Sequence, residues 1–142
     1  MVTRVAVGTD GSRTAREAVE MAADLASRFD AKLILLSAFQ GSADSAPADT
    51  GSEQEIEWAA SSSARVREIL ARTESEMKTR GIDCTARVDE GDPAEVLVQL
   101  ATECDADLLV IGNRGMHRRV LASVPNTVSH KAPCSVLVVK TT

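Results

Sequence analysis

Short, continuous apolar runs alternate along the chain with segments whose apolar positions recur every three or four residues. The first run, R-V-A-V-G-T-D, ends in Gly8 and a turn and predicts a buried strand. A helix follows from about Ser12, a good N-cap, with an apolar stripe of Ala15, Ala18, Val19, Ala22, Leu25, Ala26 and Phe29. A second strand is predicted by A-K-L-I-L-L-S-A-F. Residues 40–54 are rich in Ser, Ala, Asp and Gly, lack periodicity, and read as a flexible loop. From about Glu55 to Arg80, Ile56, Ala59, Ser63, Val66, Leu70, Thr73 and Met77 keep helical spacing, with Gly81 in the place of a C-terminal glycine.

The next strand, D-C-T-A-R-V-D-E, alternates in part and belongs at a sheet edge. D-P-A-E then starts a helix sharply: Asp92 caps, Pro93 fits the first helical position and Glu95 completes a capping box. That helix buries Val96, Leu97, Leu100, Ala101 and Cys104. D-L-L-V-I runs into Gly112, a last helix spans about 123–131, and S-V-L-V-V-K closes the chain. Strict β-α alternation with unalternated apolar strands means an α/β fold: a doubly wound parallel sheet with helices on both faces. Ligands of such sheets sit outside the carboxyl ends of the strands, where the winding reverses. The loops after the first and fourth strands are therefore the ones that matter.

The 142 residues fit one domain, 1–142, at roughly 150 residues per domain. No apolar run approaches the roughly 18 residues of a membrane span and the start is unlike a signal peptide, so a cytoplasmic protein without a membrane partner is expected. Cys84, Cys104 and Cys134 are odd in number and widely spaced, which suits buried thiols better than disulfides or zinc. A net charge of -5 and only Phe29, Phe39 and Trp58 as aromatics argue against nucleic acid. The charge is unevenly placed. Asp44, Asp49, Glu53, Glu55 and Glu57 lie in a stretch without a base, whereas Arg114, Arg118, Arg119, Lys131 and Lys140 follow the last acid, Asp107. A locally basic end on an acidic chain suits either one anionic ligand or a solvated surface.

Two loops could carry chemistry. After the first strand, G-T-D-G-S (Gly8 to Ser12) offers two glycines and the amides of a helix start. It is neither a P-loop nor G-x-G-x-x-G. Asp10 could hold a magnesium ion, accept a ligand hydrogen bond, or simply brace the turn. After the fourth strand, Gly112 and Gly115 open the backbone, and Ser123 can seat a phosphate at a helix N-terminus beside Arg114, His117, Arg118 and Arg119. His117 and His130 lack companions for a metal site, Ser12 has no histidine base, and a flavin would find only Phe39 as a flat wall.

V-G-T-D-G-S, D-L-L-V-I-G-N-R-G and the closing S-V-P-x-x-V-S-x-x-A-x-x-x-V-L-V-V, together with the order of elements, resemble the universal stress protein family over the full length. The resemblance implies a flavodoxin-like five-stranded sheet of order 3-2-1-4-5 and a homodimer through the final strand, Ser135 to Lys140. It also implies an adenine nucleotide, ATP with or without Mg2+ or cyclic AMP, bound as a regulatory ligand in a stress response. Gly8, Thr9 and Asp10 would line adenosine and phosphate, and Ala38 would touch the base. Ile111, Gly112 and Gly115 would wrap ribose and phosphates, while Ala122, Ser123 and Val124 would present amides. With no general base in sight, ATPase or autophosphorylation activity would be slow at most. The family's nucleotide motif is G-x2-G-x9-G-[ST]; here only six residues, Met116 to Leu121, follow Gly115, and Ala122 replaces the third glycine. Those departures favour the alternative, a nucleotide-free dimeric protein-interaction module.

Overall fold

A computed structural model describes residues 1–40, 53–113 and 123–141, with the side chains of 53–62 and 123 left out. The elements run β1 (Arg4–Gly8), α1 (Arg13–Phe29), β2 (Lys32–Phe39), α2 (Glu53–Thr79), β3 (Cys84–Glu90), α3 (Pro93–Glu103), β4 (Leu108–Gly112), α4 (Ser123–Lys131) and β5 (Ser135–Val139). The sheet is five-stranded, in order β3-β2-β1-β4-β5, and every pair is parallel. β3 and β5 are the edges. Of the stretch expected to be a loop, residues 41–52 lie outside the description, and α2 already begins at Glu53. Glu53, Glu55 and Glu57 favour that earlier start, because carboxylates stabilise the positive end of a helix dipole.

The expected caps form. Ser12 Oγ accepts from the Ala15 amide at 3.1 Å, and Asp92 Oδ2 from the Glu95 amide at 3.2 Å with Pro93 opening α3. At the far end of α1, Asp30 adopts φ 54°, and the Ala31 amide reaches the Ala26 carbonyl at 2.8 Å. Phe29, expected in the buried stripe, is 48 % exposed, because it occupies the last turn, where the chain already bends toward β2. Gly81 takes φ +84° after α2, with the Ile82 amide on the Met77 carbonyl at 3.0 Å.

Strand side chains alternate between two cores. Val5 and Val7 of β1 join Leu33, Leu35, Leu70 and Met77 beneath α1 and α2. Ala6 joins Ile34, Leu36, Leu97, Leu109 and Val128 beneath α3 and α4. The alanine stripe of α1 (Ala18, Ala22, Ala23, Ala26) lets that helix lie close to the sheet. Arg16, Glu20, Glu76 and Arg80 then tie α1 to α2 across the surface. The Arg16 hydrogen bond holds the Glu76 carboxyl below the usual carboxylate range. Burial pushes the Cys84 thiol up to about 12 and also raises Cys104 and Cys134, so all three stay protonated and unreactive near neutrality.

Asp107 secures the amino-terminal end of the sheet. Its Oδ2 accepts from the amides of Thr3 and Arg4, both at 2.9 Å, and from the Thr3 hydroxyl at 3.1 Å. Those bonds hold its carboxyl below the ordinary value. A carboxyl with a lowered native pKa contributes stability above its unfolded value, about 3.9, and loses it as pH falls through the native one. Asp107→Asn is therefore expected to melt at lower temperature than the parent at pH 7. Thermal melts across pH should show the difference closing below about pH 4. A difference independent of pH would contradict the role of the charge.

Candidate functional site

The winding of the sheet reverses between β1 and β4, whose register pairs Val7 with Val110. Continued by two rungs, that register sets Gly8 beside Ile111 and then Thr9 beside Gly112, so two glycine-bearing strand ends lie side by side. Gly8 is glycine for a packing reason. A Cβ there would meet the Leu97 methyls at 3.0 and 3.2 Å and Ile111 Cγ2 at 3.4 Å, so α3 and β4 close in on the strand end. The space a side chain would take at this residue is thus filled by Leu97 and Ile111.

The β1–α1 turn is bonded to itself. The Thr9 amide donates to the Leu36 carbonyl at 2.9 Å, and the Thr9 hydroxyl accepts from the Gly11 amide at 3.1 Å. Asp10 Oδ1 accepts from the Ser12 amide at 2.9 Å, the bracing arrangement of a turn aspartate. Gly11 needs φ +81°, and a Cβ there would lie 2.8 Å from Ile69 Cδ1, so α2 caps the turn from the other side. The Gly11, Ser12 and Ala15 amides are thus engaged within the loop itself. A cleft of about 210 Å³ opens between α1 and α2 beside it, bordered by Thr9, Arg16, Ile69 and Arg72.

One strand over, Ala38 is half-buried against the core under α3 and α4, the cluster that also takes Ile111 and Val124, each 3 % exposed. Ala38, Ile111 and Val124 thus share one face of the sheet, the face under α3 and α4. Phe39 is covered by the Arg67 guanidinium, 5.5 Å from its ring centre, so the aromatic that a flavin would need is already stacked on a cation. Gly115 and Ala122 lie outside the described residues, as do Arg114, His117, Arg118 and Arg119.

Two contributions escaped sequence reasoning. Asn113 Oδ1 accepts from both the amide and the hydroxyl of Thr141, at 2.9 and 2.8 Å, joining the exits of β4 and β5. Ser37 on β2 is 1 % exposed, and its hydroxyl has no hydrogen-bond partner among the described residues. The N-R-G sequence marks Asn113 as a side chain suited to bonding backbone, though not its partner. Among the described residues no group of three or more His, Cys, Asp or Glu could hold a metal ion, and no helix is long and apolar enough to cross a membrane.

The family model described as the Universal stress protein family matches residues 1–140. A universal stress protein of Mycobacterium tuberculosis (strain ATCC 25618 / H37Rv) is 39 % identical, with 97 % of this chain and 96 % of that protein aligned. Among solved structures, a universal stress protein in complex with cAMP superposes with a TM-score of 0.74 at 34 % identity, covering 99 % of both chains. A universal stress protein from Lactobacillus plantarum reaches a TM-score of 0.79 at 25 % identity over 98 % of both chains.

Proposed function

The chain belongs to the universal stress protein family, and from that premise we propose that it is a stress-response protein that binds an adenine nucleotide, ATP or cyclic AMP, as a regulatory ligand. The observation that carries this reading is the similarity, over 99 % of both chains, to a universal stress protein in complex with cAMP. The paired strand ends at the winding reversal supply the place. In this reading Gly8, Thr9 and Asp10 border the adenosine, Ala38 meets the base, and Ile111, Gly112 and Gly115 follow ribose and phosphate. Ala122, Ser123 and Val124 present the amides of the α4 start to the anion.

Asp10 fits a magnesium ion only in part. Its Oδ1 holds the Ser12 amide, so Mg2+ would be carried mainly by ATP phosphates and water, with one carboxylate at most. The ligand then biases conformation or partner choice, and hydrolysis or autophosphorylation is slow at most. A cytoplasmic homodimer through β5 completes the reading. Heating with ligand tests it, because a ligand at 100 times its Kd stabilises the native state by about 2.7 kcal/mol. The melting temperature should rise with ATP or cyclic AMP. No rise with either favours the second reading, a dimeric protein-interaction module, which the six-residue spacing after Gly115 and the methyl of Ala122 support.

A further inference from the structure

The last backbone rung between β4 and β5 is the Asn113 amide on the Val139 carbonyl, at 2.8 Å. β4 ends at Gly112 with Asn113 in a turn, and β5 ends at Val139, two residues before Thr141. Thr141 is 4 % exposed, so its amide and hydroxyl both require an acceptor. The Asn113 carboxamide oxygen supplies it, taking both bonds at 2.9 and 2.8 Å in place of the backbone carbonyl that has left the ladder. Thr141 also packs on Gly112, where an added Cβ would lie 3.1 Å from its Cγ2. One buried threonine therefore holds two successive residues of β4's exit, Gly112 by packing and Asn113 by hydrogen bonds.

We propose that Asn113 and Thr141 are a positioning pair that fixes the Gly112–Asn113 backbone for the nucleotide, an inference that rests on the nucleotide reading above. Thr141 acts through its neighbours and touches no ligand. The pair lets the sheet stop at Gly112 on one strand without leaving a buried donor unsatisfied on the next. The crevice wall at Gly112 is thereby held at fixed height, and a loosened wall must be ordered again at each binding event.

Thr141→Val keeps the methyl against Gly112 and removes the hydroxyl donor, whereas Thr141→Ser keeps the hydroxyl. Asn113→Ala removes the acceptor for both bonds and serves as the second variant. Calorimetric titration with cyclic AMP and ATP should show Thr141→Val and Asn113→Ala weakened about tenfold, which is about 1.4 kcal/mol, and Thr141→Ser within about twofold of the parent. Amide hydrogen exchange at Asn113 and Thr141 should quicken in the first two and stay slow in the third. Parent-like affinity in Thr141→Val and Asn113→Ala, both folded by their melting curves, overturns the positioning role and leaves nucleotide binding standing. Unchanged exchange in both overturns the latch itself. A parent that binds neither nucleotide overturns the functional reading, and the positioning role falls with it.

Discussion

Ser123→Glu is expected to abolish nucleotide binding, a loss of at least about 100-fold or about 2.7 kcal/mol, while leaving the fold close to intact. Ser123 opens α4, and the amides of a helix's first turn have no intrahelical acceptor. A phosphate there meets those donors and the positive end of the dipole; a glutamate puts its own carboxylate in their field and repels the ligand. The same dipole makes the glutamate tolerable for the helix, so lost binding is not a consequence of unfolding. Arg118 is expected to act at longer range. Arg118→Ala should weaken binding modestly, with a smaller loss at high salt, where exposed charges are screened within roughly 3–10 Å. Ala122→Gly should tighten binding if its methyl crowds the phosphate. A Ser123→Glu protein that melts like the parent and binds ATP equally well contradicts this assignment of the anion.

The second large effect concerns assembly. Light scattering at tens of micromolar protein should report a homodimer, and Val138→Asp should convert it to a monomer. β5 is an edge strand paired on one side only, with β4. Val138 is 42 % exposed, and Leu137 and Val136 are half-buried, so among the described residues an apolar edge strand is left without a second neighbour. An aspartate at Val138 would bury an unpaired charge between two chains, at a cost of about 3–5 kcal/mol, yet remain solvated in the monomer. Val139 is unsuitable for this test. It is 9 % exposed and part of the core under α1 and α2, so a charge there would unfold the chain as well as separate it. A monomeric parent, or a Val138→Asp protein that still dimerises, contradicts the edge-strand interface.

The order of elements was legible because each is announced locally. Ser12 and Asp92 cap through bonds spanning three residues, and unbroken apolar strands imply a sheet covered on both faces. The bordering role of the loops after β1 and β4 follows from the winding alone. What the sequence withheld depends on partners far along the chain. Asn113 meets Thr141 across 28 residues, and Arg16 meets Glu76 across 60, each through a register that only the folded sheet and helices create. Gly8 shows the same limit. A glycine at a strand end reads equally as room for a ligand or room for a helix, and only the fold shows Leu97 of α3 packed against it. α2 starts at Glu53, two residues before the apolar periodicity begins, because E-Q-E carries no apolar stripe although its charges suit a helix N-terminus.

Whether the protein binds an adenine nucleotide is decided by calorimetric titration with cyclic AMP and with ATP, each with and without Mg2+. Saturable binding of one nucleotide per chain is expected for at least one of the two, lost in Ser123→Glu. A folded protein that gives no binding isotherm with either nucleotide, with or without the metal, contradicts it.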